Sequence, residues 1–201
     1  MDNLIKKIVQ IDLNGSNITF LTKNKASLKL YEQLKNYNNI FDAVKPFNNL
    51  ILLFPTTSDT VGHYISILLN HNTKTINHFD SYGLSPVQEL GYTTNKYVKQ
   101  KLLNILYQNA IQQGWNLIYN SYKLQHMIDG INTCGRWTTM RVRMDYLSND
   151  EFAKLFLNQT MSPDWLITCL TFTALNEDEN DEEIVIRSLG LNDKKTSKKL
   201  K

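Results

Sequence analysis

The sequence predicts an α+β protein with a central mixed or antiparallel sheet flanked by helices. Three observations carry this reading. Alternating apolar residues on both sides of a polar turn mark a hairpin at 62–82, helical spacing recurs over 94–113 and again from Cys134, and the strand signals cluster in mid-chain with helices before and after. At 201 residues and 42% hydrophobic content the chain supports one substantial core and is too short for two ordinary domains. The expected domain is 1–175, followed by an acidic and then lysine-rich tail at 176–201.

Taken in order, "KASLKLYEQLKNYN" at 25–38 sets Leu30, Leu34 and Tyr37 at helical spacing, and "NLILLFP" at 49–55 reads as a short buried strand stopped by Pro55. The hairpin "GHYISILLNHNTKTINHFDSY" follows, with His63, Ile65, Ile67 and Leu69 on one face and "NHNT" as its turn. A turn centred near residue 72 puts Asp80 across from His63, where opposed Cβ atoms lie about 5 Å apart and even a diagonal neighbour is within reach of an imidazole. A slip of one residue would send Asp80 to the other face.

Beyond the loop "SYGLSP", residues 94–113 carry Tyr97, Val98, Leu102, Ile105, Leu106 and Ala110 on one helical stripe, with Gly114 placed to end it. "WNLIYNSYKLQ" at 115–125 reads as a further strand. From Cys134, the residues Trp137, Met140, Met144 and Leu147 recur at helical spacing, which is read as a core face. "SNDEFAKLF" and "SPDWLITCLTFTAL" predict two more helices, the second capped by Ser162 with Pro163 in its first turn.

The net charge of +3 misleads about the body of the protein. Residues 193–201 hold five lysines and one aspartate, leaving 17 basic and 18 acidic groups in residues 1–192. A nucleic-acid contact would therefore be weak, salt-sensitive and confined to that tail, and the preceding "NEDENDEE" reads as a solvated acidic run. The longest conspicuous apolar run, "LILLF" at 50–54, is far below the ~20 residues of a membrane span, and "MDNLIKK" lacks a signal-peptide core. A soluble intracellular protein is the expectation. Cys134 and Cys169 have no zinc-type spacing and cannot form a disulfide framework, so free thiols and no metal or cofactor are expected.

Cys134 lies between "DGINT" and a predicted helix. A sulfur at a helix N-terminus meets unpaired N–H groups and the positive end of the dipole, both of which favour thiolate. Gly135 would allow a substrate backbone to approach closely. A thiol nucleophile needs a base and a group to orient that base, and the His63–Asp80 pair offers both; Gln125 carries an amide able to face an oxyanion. Cys169, on an apolar helix, reads as a packed core residue. His71 falls in the turn, His126 would point away from Gln125 along a strand, and His78 shares the face of Asp80.

The motifs "GHY" at 62–64, "FDSYG" at 79–83, "LQ" at 124–125 and "TCGRW" at 133–137 resemble, in that order, the His, Asp, Gln and Cys-Gly motifs of the clan CE cysteine peptidases. Adenain, the adenovirus maturation protease, and the SUMO-specific proteases belong to that clan, and similar enzymes occur in giant viruses, virophages and polinton-like elements. The resemblance spans about residues 50–147. Tyr64 stands where the family often has Trp, and the interval from Gln125 to Cys134 is longer than is usual there.

The resemblance implies an adenain- or SUMO-protease-like fold with His63 as general base, Asp80 as its orienter, Cys134 as nucleophile and Gln125 as oxyanion donor. It further implies cleavage after small residues, glycine above all. Because compact size and an Asn/Lys-rich composition suit an AT-rich viral genome more than a eukaryotic deconjugase, what the resemblance implies here is a viral maturation protease acting on capsid precursors in the virion or host cytoplasm. Two other readings stay open: a deconjugase of ubiquitin-like proteins or an effector-type acetyltransferase, and a non-catalytic scaffold whose working part is the lysine tail.

Overall fold

The structure, a computed structural model, describes residues 6–58, 61–92 and 100–176. The tail at 176–201, apart from Asn176 at its start, and the 94–99 part of the expected helix lie outside the described residues.

Helix α1 (Gly15–Leu21) was not signalled by apolar periodicity; it starts from a reciprocal cap in which the side chains of Asn14 and Asn17 each bond the other's backbone N–H. Residues 25–38 are not one helix. Ser27–Leu30 form strand β1, and Tyr31–Asn36 form a 3-10 turn that buries Tyr31 and Leu34. The same residues fit either pattern locally, and parallel pairing of Ser27 through Leu30 with Leu50 through Leu53 decides between them.

After α2 (Ile40–Val44), strand β2 runs from Asn49 to Ser58, past Pro55. The proline does not stop it, because β1 ends opposite Leu53 and the pairing with the next strand is already irregular between Pro55 and Ser58. The hairpin comprises β3 (Val61–Asn70) and β4 (Thr75–Phe79). Its turn is His71–Lys74, held by Asn70 Oδ1, which accepts from Asn72 N and Thr73 N, and closed by Lys74 at φ 50°. Ile67 therefore pairs with His78 and Ser66 with Phe79, and the turn centre lies half to one residue later than expected.

Helix α3 (Leu102–Gln112) ends at Gly114 with φ 82°. Its buried face is Leu103, Leu106, Tyr107 and Ala110, and Ile105 is exposed, so the stripe is rotated from the expected one. Strand β5 is Asn116–Tyr119 only. It pairs in parallel with β4, which ends at Phe79, so the chain must turn over the sheet end; Asn120 Nδ2 donates to Asp80 O (2.8 Å) and Tyr122 O (3.0 Å) there.

The five strands lie in the order β1-β2-β3-β4-β5, parallel at both edges and antiparallel between, so the molecule is α+β with a mixed sheet. Helices α4 (Cys134–Arg143), α5 (Asn149–Leu157) and α6 (Pro163–Asn176) complete it. One sheet face packs Leu52, Ile65 and Ile67 against Leu103, Leu106 and Tyr107; the other packs Ile51 and Phe79 against Trp137, Phe152, Phe156 and Ile167. Helix α4 is buried on all sides from Gly135 to Arg143, a broader contact than a single core stripe. Its Arg141 is accommodated because Nε donates to Asn149 Oδ1 (3.0 Å) while Nη1 and Nη2 donate to the carbonyls of Met144 (3.0 Å) and Leu147 (2.8 Å). No helix among the described residues is long and apolar enough to cross a membrane.

Candidate active site

Strand β3 extends past the last pair it makes with β4, so His63 projects beyond the sheet end while its backbone stays paired with Phe54 of β2. Gly62 is required beside it: a Cβ there would lie 2.2 Å from Phe54 O and 2.7 Å from Pro55 Cα. Continuing the hairpin register past Ser66–Phe79 makes Asp80 the diagonal neighbour of His63 and Tyr82 its direct opposite. Both contacts are present. His63 Nε2 lies 3.0 Å from Asp80 Oδ1, and the His63 and Tyr82 rings stack at 4.5 Å and 21°.

Asp80 is fully buried, and its Oδ1 also accepts from Tyr82 N at 2.6 Å. Cys134 lines the same cleft as this ring and is electrostatically coupled to it. Burial opposes a charge on His63, but the Asp80 carboxylate and Cys134 outweigh it and hold its pKa well above the ordinary histidine value. Burial likewise opposes ionisation of Asp80, and His63 overcomes this to hold its carboxyl below the usual value. The pair is thus arranged to keep a proton on the ring and a negative charge on the carboxylate.

Cys134 is the first residue of α4. Thr133 precedes it as N-cap yet makes no side-chain cap bond; its hydroxyl donates instead to Asp164 Oδ1 at 2.6 Å, leaving the first N–H groups of the helix without a side-chain acceptor. Gly135 does not face a substrate space as expected. It is buried, and a Cβ on it would sit 3.4 Å from Leu13 Cβ and 3.5 Å from Tyr64 Cδ2, so the glycine lets the helix start pack onto β3.

Gln125 is buried beside this cluster, with Oε1 accepting from Ser81 Oγ (2.7 Å) and Nε2 donating to Ile131 O (3.1 Å) and Tyr82 Oη (3.2 Å). His63, Asp80, Tyr82, Gln125 and Cys134 line one cleft of about 420 Å³ with apolar walls that include Phe54, Leu84 and Ile131. All four residues singled out in the sequence therefore border the same space.

The remaining histidines and Cys169 lie apart from this geometry. His78 is buried, with Nδ1 2.9 Å from Tyr107 Oη and Nε2 2.8 Å from Glu89 Oε1. His71 Nε2 lies 3.2 Å from Asn48 Oδ1. Cys169 sits within α6, where burial raises its thiol pKa. His126 does not extend a strand, since β5 has ended; its backbone N and Nδ1 both bond Asp164 Oδ2, at 2.9 and 2.8 Å.

Asp164 itself escaped the sequence reading. Buried in the first turn of α6, it grips the chain on either side of the 125–134 loop and also accepts from Trp137 Nε1 at 3.2 Å. Its only local signal was an acidic residue near a helix start, which ordinarily means a dipole contact. Among the described residues no group of three or more His, Cys, Asp or Glu side chains is placed to hold a metal ion.

No family model matches the chain. Uncharacterized protein V9 of Sputnik virophage is 29% identical over 173 residues, covering 83% of this chain and 98% of that protein. Among solved structures, the ASFV pS273R protease is similar with a TM-score of 0.48 and 14% identity, covering 79% of this chain and 67% of that one. SUMO protease Ulp1, with its catalytic cysteine oxidized to a sulfinic acid, is similar with a TM-score of 0.39 and 12% identity over 89% of this chain and 79% of that one.

Proposed function

We infer that the chain is a cysteine endopeptidase in which Cys134 is the nucleophile, His63 the general base and acid, and Asp80 the group that orients the imidazole. The observation that carries this reading is that His63, bonded to the buried Asp80 carboxylate, and Cys134 border one open cleft. With the proton given up by the thiol held on His63, the sulfur adds to the peptide carbonyl while its π pair moves onto oxygen. The oxyanion is met by the Cys134 N–H and from the Gln125 side of the cleft. Collapse re-forms the carbonyl and breaks the C–N bond, and the leaving amine takes the proton from His63. Water, activated by the same imidazole, releases the acyl group.

The substrates in this reading are viral structural precursors cut after small residues, in the virion or host cytoplasm, with support from the motif resemblance and the virophage relative. The test is to mix wild type and Cys134→Ala with candidate structural polyproteins and sequence new N-termini. New termini that follow glycine and vanish with Cys134→Ala support the reading. Cleavage confined to ubiquitin-like Gly-Gly fusions, or acetyl transfer from acetyl-CoA without hydrolysis, redirects it to a deconjugase or a transferase.

A further inference from the structure

Gln125 has two amide hydrogens, and both are committed. The amide is fixed in orientation because Ser81 Oγ donates to its oxygen while the Ile131 carbonyl accepts from its nitrogen. The second amide hydrogen goes to Tyr82 Oη. That hydroxyl accepts from Gln125, and its own proton has no acceptor among the described residues. Tyr82 lines the same cleft as Cys134.

The phenol is anchored along its whole length. Its ring stacks on His63, its backbone N–H is spent on Asp80, and its oxygen is held by Gln125. Burial, with the electrostatic influence of the neighbouring acidic groups second to it, pushes its pKa above the ordinary tyrosine value, so it stays a proton donor at neutral pH.

Building on the cysteine-hydrolase reading, we propose that the Tyr82 hydroxyl is the side-chain donor to the oxyanion formed when Cys134 attacks a carbonyl. Gln125 acts one step back, as a positioning residue that polarises and aims that hydroxyl. The step balances without proton loss from Tyr82: the S–C bond forms, the carbonyl π pair becomes the oxyanion, and the O–H shares its hydrogen with that oxygen until collapse returns the pair.

The test uses two small probes that need no peptide specificity. p-Nitrophenyl acetate acylates a thiol through a tetrahedral oxyanion, whereas iodoacetamide alkylates it by displacement with none. In the full chain, Tyr82→Phe keeps the stacked ring and should lower the acylation rate about 100- to 1000-fold, with alkylation of Cys134 within about twofold of wild type. Gln125→Ala should show the same split, and the double variant should be no slower than the worse single one. Acylation by Tyr82→Phe at or above the wild-type rate overturns the proposal, because Gln125 then donates directly; so do single losses that multiply in the double variant. Wild-type protein in which Cys134 is neither acylated nor alkylated faster than Cys169 overturns the hydrolase reading itself, a result distinct from an active Tyr82→Phe.

Discussion

Replacing Asp164 should loosen the site from a distance. Its carboxylate accepts from Thr133 Oγ1, Trp137 Nε1, His126 N and His126 Nδ1, and is 1% exposed. In Asp164→Ala the two His126 donors recover water, since that side chain is 60% exposed. Thr133 and Trp137, both 0% exposed, do not. Two stranded buried donors at about 1–3 kcal/mol each predict a loss of about 2–6 kcal/mol, centred on about 4. That centre lies below the total of about 5–15 kcal/mol expected for a domain, so the variant should still fold.

Asp164→Asn, with its amide oxygen in the place of Oδ1, keeps the acceptor of both buried donors and should lose well under half as much. Urea unfolding followed by tryptophan fluorescence measures both, because Trp137 packs against Phe156 at 4.7 Å and touches the mutated group. Because Thr133 and His126 flank the loop ends, acylation by p-nitrophenyl acetate should also fall about tenfold or more in Asp164→Ala. A loss below about 1 kcal/mol with unchanged acylation would show that the four bonds neither stabilise nor position anything.

Two further predictions follow from the cluster around His63. Gly62→Ala forces β2 and β3 apart, given the 2.2 Å approach to Phe54 O, and should lose about 2–3 kcal/mol in urea together with acylation; wild-type behaviour would mean that His63 does not depend on that close strand approach. The His63–Asp80 pair should stabilise the fold in a defined pH window. Asp80, lowered from 3.8, contributes above that value and loses its contribution as pH falls through its folded pKa; His63, raised from 6.5, contributes fully below 6.5 and fades as pH rises through its folded pKa. The melting-temperature difference between wild type and His63→Ala should therefore be greatest between about pH 4 and 6.5 and shrink above it. A difference that grows with pH above 6.5 contradicts the assigned direction.

Much of the site was legible because its parts are local. A hairpin with a short turn needs only alternation and a turn position, so His63 and Asp80 meet even though the turn centre shifted; a diagonal pair serves as well as a direct one. The same shift brings Tyr82 opposite His63, which a turn centred near residue 72 does not indicate. The start of α4 at Cys134 was likewise readable from the helical spacing that follows it. What was not legible depends on distant partners. Ser27–Leu30 become a strand only through β2, β5 stops where β4 stops, and Pro55 is tolerated because β1 has already ended. Nor does any sequence pattern say that Ile131 and Tyr82 occupy the two donors of Gln125, or that Asp164 reaches back to Thr133.

The most direct measurement is the rate at which iodoacetamide labels each thiol near neutral pH, read by peptide mass mapping. The account predicts labelling concentrated at Cys134 over Cys169, and its collapse to the free-thiol rate in His63→Ala. Equal labelling of both cysteines, or a Cys134 rate untouched by the loss of His63, would contradict it.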